Sequence, residues 1–399
     1  MNYKPWTLAL VGAGLVSLPA VTNAEENKTT PASVMTALSS TTLSGYVDTS
    51  AHWNIGTGNN SLPAIGPNGS SGTSKADGFN LNVVAITLSH PPGEGDWAAG
   101  YNATLLYGAD AKGYNNTVGS AASDFSLKDA YVELKAPVGN GLDIKMGTFA
   151  QPLGYEVYET GNNPNYTRSY GYEIEPTSLT GIMLAYTFCP VVSINAGVAN
   201  VWNAGVNSRA NNGTVASPAE SYKAYFGSLT FTAPKDTGFL EGSTLSAGFV
   251  NGFDNGVGGE KTSLYIGGAM KTPVKNLTAG WAWDYVLLDN NATGNTSAYQ
   301  TAVGGYLILQ ATEKLSFNTR VEYMDQSHNA ALVAASGLST RRAVELTETI
   351  AYQLWNNVTT RLEFRWDHDA TGTDSYGGGN GQGGQDNAVL IAANILYKF

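Results

Sequence analysis

Residues 41–399 form a series of short segments in which polar and apolar side chains alternate. Each segment is about ten residues long and rich in Thr, Val, Tyr, Leu and Trp, and clusters of Gly, Asn, Asp or Pro separate the segments. Alternation with a period of two is typical of β-strands, and no stretch keeps a helical period. The pattern predicts sixteen strands, at 43–53, 79–89, 97–107, 127–135, 142–149, 181–188, 191–202, 222–232, 244–250, 263–271, 277–286, 298–309, 315–324, 343–355, 358–367 and 389–399.

Several of these strands have one apolar face and one polar face. In the strand from Leu277, the aromatic residues Trp281 and Trp283 share a face, and Asp284 lies on the opposite face. An apolar face and a charged face on one strand predict lipid on one side and water on the other, because unpaired charge in a dry interior is costly. Two segments depart from this pattern: apolar residues occur on both faces over 222–231, and Glu348 falls on an apolar face. A β-bulge or a shifted register is expected at each of them.

The connections alternate between short and long. Short connections lie at 92–95, 138–141, 273–276, 311–314 and 356–357, and long ones at 56–78, 151–180, 203–221, 326–340 and 370–387. The connection at 234–242 is longer than the other short ones. Antiparallel barrels of outer membranes have this asymmetry, with tight turns on the periplasmic side and long loops on the outer side.

Composition favours a membrane-spanning β protein over a soluble one. Charged residues make up 13% of the chain, about half of the roughly 25% that is typical of soluble domains. No segment after the N-terminus approaches the roughly 20 consecutive apolar residues of a membrane helix. Because backbone groups inside a bilayer must all be paired, strands that cross it must close into a barrel. The expected fold is therefore all-β: a transmembrane antiparallel β-barrel of about sixteen strands over residues 41–399.

Residues 1–24 are expected to be a cleavable signal peptide. Lys4 precedes an apolar stretch over 8–21. Small side chains, Thr22 and Ala24, occupy the two positions that a signal peptidase reads before cleavage after Ala24. Residues 25–40 would then be an N-terminal periplasmic segment. Without the signal, 20 basic residues remain against 32 acidic ones, and this negative balance speaks against nucleic acid as a partner.

The chain ends in a strand whose last aromatic residues are Tyr397 and Phe399. This ending resembles the signature that outer-membrane proteins present to the outer-membrane assembly machinery. The resemblance implies two partners, that machinery and outer-membrane lipid, and a location in the bacterial outer membrane.

The middle of the chain resembles the OmpL-like family of outer-membrane porins. The residues that carry this resemblance are GTFAQPLGYE at 147–156, NYTRS at 165–169, Pro176, and the pair Thr180 and Gly181. In that family the stretch forms the fifth strand and the long loop after it. The resemblance implies that the loop at 151–180 folds into the barrel and constricts the lumen.

Ten charged residues are the candidate lining of that constriction. The loop supplies Glu156, Glu159, Arg168, Glu173 and Glu175, and inward parity on the thirteenth and fifteenth strands supplies Arg320, Glu322, Arg361, Glu363 and Arg365. Those strands lie about half a barrel from the fifth, so an acidic loop would face a basic wall and orient dipolar solutes. In the alternative, the wall arginines and glutamates pair as cross-strand neighbours and stabilise the wall. The sequence leaves both open.

A second charged group, nearer the short turns, favours cross-strand pairing. It consists of Lys128, Asp129, Glu133, Lys135, Asp143 and Lys145. The histidines are scattered and no nucleotide or haem motif occurs, so no cofactor, metal site or catalytic residue is predicted.

These features together predict a porin, a passive diffusion channel for small hydrophilic solutes and ions. A homo-trimer is expected by analogy with other porins. Two rivals remain, a barrel enzyme of the lipase or protease type and a plugged structural or adhesive barrel. Stepwise conductance in a planar bilayer would favour the channel over both.

Overall fold

A computed structural model describes the chain over residues 41–60, 62–63, 75–112, 114, 124–203, 205–210, 222–255, 258–289, 297–327, 340–379 and 382–399. The signal peptide predicted at 1–24 and the segment predicted at 25–40 lie outside the described residues.

Sixteen antiparallel strands form one closed barrel, as the sequence predicted. They are β1 (Thr42–Ile55), β2 (Gly78–His90), β3 (Ala98–Tyr107), β4 (Phe125–Ala136), β5 (Leu142–Ala150), β6 (Ser178–Cys189), β7 (Val192–Ala199), β8 (Ala224–Thr232), β9 (Thr244–Asp254), β10 (Gly259–Lys271), β11 (Leu277–Leu288), β12 (Ala298–Gln310), β13 (Leu315–Gln326), β14 (Arg342–Trp355), β15 (Val358–Asp369) and β18 (Asn387–Lys398). Two further strands, β16 (Tyr376–Gly379) and β17 (Gln382–Gln385), form a separate hairpin in the last long connection.

In the part of the chain that the structure describes, little helix accompanies the barrel. One short helix, α1 (Tyr170–Ile174), and a 3-10 turn (Thr160–Asn162) lie in the long connection after β5, and a 3-10 segment (Lys235–Leu240) fills the connection before β9. Among the described residues, no helix is long and apolar enough to cross a membrane.

The barrel closes between the first strand and the last. β1 pairs with β18 from Tyr46 opposite Lys398 to Ile55 opposite Val389. Beyond that ladder, Gly45 and the terminal Phe399 exchange two backbone hydrogen bonds of 3.0 Å. Closure leaves no unpaired strand edge, which is what a bilayer requires of a sheet.

Side chains alternate across the wall as the sequence predicted. On β11, Trp281 is 41% exposed on the outer surface, whereas its neighbour Ala282 is 5% exposed on the inner one. On β15, Leu362 and Phe364 lie outside, and Arg365 is buried inside. The outer surface is thus a continuous band of large apolar side chains, which suits contact with hydrocarbon.

The prediction of an irregular strand over 222–231 is wrong. β8 pairs with β7 and β9 without a register shift. Apolar residues occur on both of its faces because the inward Phe226 packs against Phe149 and Val250 inside the barrel. An interior apolar contact, and not a bulge, accounts for the pattern.

The prediction of an irregularity at Glu348 is also wrong. β14 keeps a regular register at this position, where Glu348 lies opposite Thr319 of β13 and Phe364 of β15. Its carboxylate is exposed on the outer surface. The register shift of β14 occurs instead beside the short turn, between Gln353 and Trp355.

Two bulges turn additional polar side chains inward. Between β1 and β2, Asp48 pairs with Val83 and Thr49 with Leu81, so Asn82 is the extra residue. A second shift occurs between β3 and β4, where the extra residue is Lys128. A bulge re-aims the side chains around it, and both Asn82 and Lys128 are buried.

Candidate functional site

The long connection at residues 151–177, here called the inner loop, has a shape that its own polar side chains fix. Asn163 accepts a hydrogen bond from the backbone N–H of Val157 at 2.8 Å and donates one to the carbonyl of Val157 at 2.6 Å. Ser169 caps α1 by accepting a bond from the N–H of Tyr172 at 3.0 Å. Arg168 is fully buried and donates to the carbonyl of Tyr158 at 2.7 Å. The inner loop is therefore an ordered unit and not an open strand of chain.

The helix of the inner loop rests on the wall formed by β11 to β15. Glu322 of β13 accepts hydrogen bonds from the N–H groups of Tyr170 at 2.7 Å and Gly171 at 3.3 Å. These are free donors of the first helical turn, and a carboxylate satisfies them well. The hydroxyl of Tyr170 donates to Asp367 at 2.6 Å, and Ile174 packs in an apolar cluster with residues of β11 to β14.

Arg320 joins the inner loop to two strands. Its guanidinium lies 2.8 Å from Glu156 of the inner loop and 3.0 Å from Glu345 of β14, and all three side chains are 0% exposed. It also donates to the backbone carbonyl of Thr167 at 2.7 Å. At this arginine the loop is in direct contact with the wall that it was expected to face across the lumen, and a strand-to-strand ion pair of the alternative kind occurs at the same guanidinium.

The charges of β15 bind the backbone of the inner loop. Arg361 donates to the carbonyl of Thr160 at 2.9 Å, and Arg365 donates to the carbonyl of Arg168 at 2.7 Å. Between them, Glu363 accepts a bond from the N–H of Thr167 at 2.9 Å. Alternate donors and acceptors on one strand thus match carbonyl and N–H groups of the inner loop.

Glu159 lies at a different wall. Its carboxylate is 2.8 Å from the ammonium of Lys128, which the bulge in β4 turns inward. Although burial alone would raise the pKa of Glu159, the Lys128 ammonium outweighs that effect and holds this pKa below its usual range. The expected cross-strand pairing holds for Lys145 and Glu133, which are 3.7 Å apart, but it misses the contact of Lys128 with the inner loop.

Glu173 and Glu175 do not join the arginine cluster. Glu173 is half-buried in the first turn of α1. Glu175 accepts a bond from Gln151 at 3.0 Å, and burial together with the neighbouring carboxyl of Asp284 raises the pKa of Glu175. Of the ten candidate residues, seven therefore contribute to the contact of the inner loop with β13 and β15, namely Glu156, Arg168, Arg320, Glu322, Arg361, Glu363 and Arg365.

The sequence did not predict the contacts that Tyr166 makes with β1. Its hydroxyl donates to Ser50 of β1 at 3.0 Å and lies 2.9 Å from the ring nitrogen Nε2 of His52. Nearby, Asn165 donates to Thr349 of β14 at 2.7 Å. No local pattern marks these residues, because their partners lie more than 100 positions away in the chain.

An apolar cluster completes the interior on the side of β5 to β12. Leu153 and Tyr155 of the inner loop pack there with Phe226, and Tyr155 stacks on Tyr306 with ring centroids 4.1 Å apart. At the level of the inner loop, most inward charges thus contact the loop or one another, whereas Nε and Nη1 of Arg361 are buried without a hydrogen-bond partner. Within the described residues, no group of three or more His, Cys, Asp or Glu side chains could hold a metal ion.

The model of the family described as "Putative beta-barrel porin-2, OmpL-like" matches residues 40–399. Among solved structures, the chain resembles OprB of Pseudomonas putida with a TM-score of 0.58 at 13% identity, over 91% of this chain and 96% of that one. It resembles the outer-membrane channel DcaP of Acinetobacter baumannii with a TM-score of 0.56 at 12% identity, over 90% and 97%. A trimer form of OmpT from Vibrio cholerae gives a TM-score of 0.54 at 10% identity, over 90% and 99%. No curated protein matches the sequence. At these identities the solved structures show a shared fold.

Proposed function

Because the chain belongs to the putative beta-barrel porin-2, OmpL-like family, we propose that it is a passive outer-membrane channel for small hydrophilic solutes and ions. Such barrels of about sixteen strands are wide enough for an aqueous passage. We propose that the inner loop is the constriction of this passage, and that the protein has no catalytic role.

The contact between Glu156 and Arg320 carries the proposal. It joins a segment that follows β5 to Arg320 of β13, which also pairs with Glu345 of β14, and this supports a position of the segment within the lumen. A segment in that position reduces the cross-section open to solutes. Side chains of the inner loop that keep partial exposure, among them Tyr155, Glu159, Tyr172 and Glu173, would face the remaining passage and act on whatever enters it.

The export route and the assembly belong to the same proposal. We propose that residues 1–24 direct export, that the short turns face the periplasm, and that Phe399 is read by the outer-membrane assembly machinery. We also propose a homo-trimer in the outer membrane, with OmpT from Vibrio cholerae, solved in a trimer form, as the parallel among barrels of this fold.

Conductance in a planar bilayer tests the channel. Purified protein should give stepwise open levels, and lipid or peptide substrates should show no turnover. A silent bilayer would favour a plugged structural barrel, and turnover without conductance would favour an enzyme.

The buried contacts of the inner loop give the plugged barrel specific support, so a second experiment separates it from an open channel. Thr167 and Thr347 both accept bonds from Arg320, at 3.1 Å and 3.3 Å, so cysteines at these positions would tether the inner loop in a Cys189→Ser background. If solutes pass beside the docked loop, the oxidised and reduced tether will conduct equally. If the inner loop must leave for conduction, oxidation will silence the channel and reduction will restore it.

A further inference from the structure

Glu348 is a carboxylate in the middle of an apolar surface. It lies on the outer face of β14, seven residues from the end of the strand at Trp355. Its outward neighbours along and across the strands are apolar except for Thr319, and they are Phe317, Val321, Leu346, Ile350, Leu362, Phe364 and Trp366. Thr319 donates a hydrogen bond of 2.7 Å to one carboxylate oxygen. Along the described strands, the other outward acids and bases lie near strand ends, which makes Glu348 the exception.

Hydrocarbon cannot satisfy this group. An ionisable side chain near the centre of a bilayer is costly and normally contacts protein or water. Glu348 cannot reach the lumen, because β14 keeps its register and turns the side chain outward. A polar partner at the same depth in the membrane has to come from another transmembrane wall.

We propose that the outer face of β13 to β15 around Glu348 is a contact surface for a second copy of this chain. This inference rests on the homo-trimer proposed above and gives that assembly a location. A second copy matches the surface well, because its apolar band has the same height and begins at the same level.

The geometry of a threefold ring identifies the opposite surface. In such a ring one face of each copy meets a different face of the next, and on each barrel the two contact directions differ by about 60°. In a barrel of sixteen strands this corresponds to about 2.7 strand positions. Three positions from β14 lie β1 in one direction, by way of β15 and β18, and β11 in the other, by way of β13 and β12. The outward row of β11 carries the bulky Trp281 and Trp283, so β1 is the better surface for close contact.

The outer face of β1 suits this role. Between the large exposed Leu43 at one end and Trp53 and Ile55 at the other, its outward row holds the small or medium side chains Gly45, Val47, Thr49 and Ala51. Small residues allow close approach of two walls within a membrane. The beginning of β1 and the end of β14 lie at the same rim of the barrel, on the side of the short turns. Thr49 is seven residues from the beginning of β1 at Thr42, and Glu348 is likewise seven residues from the end of β14 at Trp355. The Thr49 hydroxyl makes only a long bond of 3.3 Å to the carbonyl of Ile395. Thr49 of one copy is thus placed to donate to Glu348 of the next.

Cysteine crosslinking tests the pairing in the full chain. In a Cys189→Ser background, Val47→Cys with Ile350→Cys should give dimer and trimer bands without reductant, and monomer with it. These positions lie two residues nearer the rim than Thr49 and Glu348 on the same outward rows, so the proposed hydrogen bond is kept. Within one chain the two positions are at least three strand spacings apart, about 14 Å or more, which is too far for a disulfide. Each single variant should remain monomeric on the gel, because the two surfaces differ. Val47→Cys with Val303→Cys, which puts the second cysteine on the outer face of β12, is the matched control and should not crosslink.

Substitution of Glu348 distinguishes a contact surface from a lipid surface, because the two predict opposite effects of an apolar side chain. At a contact surface, Glu348→Leu should lose trimer on size exclusion with light scattering, and Glu348→Gln should retain more of it. At a lipid surface, Glu348→Leu would instead raise the thermal stability of the barrel and leave its mass unchanged, and that result overturns the inference. A trimer that persists without crosslinking at 47 and 350 also overturns it, whereas a monomeric wild-type protein overturns the proposed assembly itself. Conductance reports separately on the channel.

Discussion

The carboxylate of Glu156 lies 2.8 Å from the guanidinium of Arg320, and neither side chain is exposed. One belongs to the inner loop and the other to β13, so this pair decides how firmly the inner loop is held against the wall.

Replacement of Arg320 should release the inner loop. Arg320→Met leaves the buried carboxylates of Glu156 and Glu345 without their cation, and the loss of one partner of a buried pair costs about 3–5 kcal/mol. We expect faster amide hydrogen exchange over the inner loop and a larger or less stable single-channel conductance. The double variant Glu156→Gln with Arg320→Met should be less perturbed than the sum of the single variants. Unchanged exchange in Arg320→Met would contradict the role of this pair.

Acidification should loosen the inner loop at Glu159. The pKa of Glu159 is lowered in the folded protein, because the Lys128 ammonium outweighs the opposing effect of burial. The contact therefore stabilises the inner loop above the usual pKa of 4.5, and this stabilisation is lost as the pH falls through the lower, folded value. Hydrogen exchange around the 3-10 turn should rise on acidification below that usual value. Glu159→Gln should remove this step, and a wild-type step that persists in the variant would assign it to another group.

At the other end of the inner loop, stability depends on pH in the opposite direction. Burial and the neighbouring carboxyl of Asp284 raise the pKa of Glu175, so the protonated carboxyl stabilises this contact at low pH. The stabilisation is lost as the pH rises through the raised value. Glu175→Gln should hold the end of the inner loop in place above the pH at which the wild-type contact is lost, as measured by hydrogen exchange at residues near β6. If wild type and variant loosen alike on alkalinisation, Glu175 is not the group responsible.

A side chain at Gly45 should weaken closure of the barrel. A Cβ there would clash with the backbone carbonyl of Ala85 and lie 2.6 Å from the ring of Phe399. Gly45→Ala should lower stability by about 1–3 kcal/mol, the usual cost of overpacking, seen as a lower temperature for loss of the folded band on unboiled gels. Gly305→Ala is the matched control, because a Cβ at that outward position on β12 has open space. Equal effects of the two variants would contradict the explanation by overpacking at Gly45.

The sequence predicted the barrel well because alternation is a local signal. Trp281 and Asp284 are sorted to opposite faces by the period of the strand alone, and sixteen such segments predict the closed sheet that the structure has. The resemblance to the OmpL-like family, seen in the residues of the inner loop and the strand before it, is confirmed by the match over residues 40–399. The failures arise where long-range packing overrides local pattern, as at Phe226, whose inward ring joins an interior apolar cluster.

The same reasoning predicted only part of the candidate site. Parity placed Arg320, Arg361 and Arg365 inside the barrel, which the structure confirms. It could not show that the inner loop lies against them, since the contact of Arg320 with Glu156 joins residues 164 positions apart. Nor could it find the bulge that turns Lys128 inward, because one extra residue changes the parity of a strand without changing its composition.

Pairing of the first strand with the last has a kinetic consequence. The hydroxyl of Thr49 bonds to the carbonyl of Ile395, 346 positions further along the chain, and contacts of such long range form slowly. Until the C-terminus arrives, the free side of β1 is a row of unsatisfied backbone groups that invites pairing with the wrong partner. Biogenesis of this protein must therefore shield its earliest strand until its last residue has been delivered.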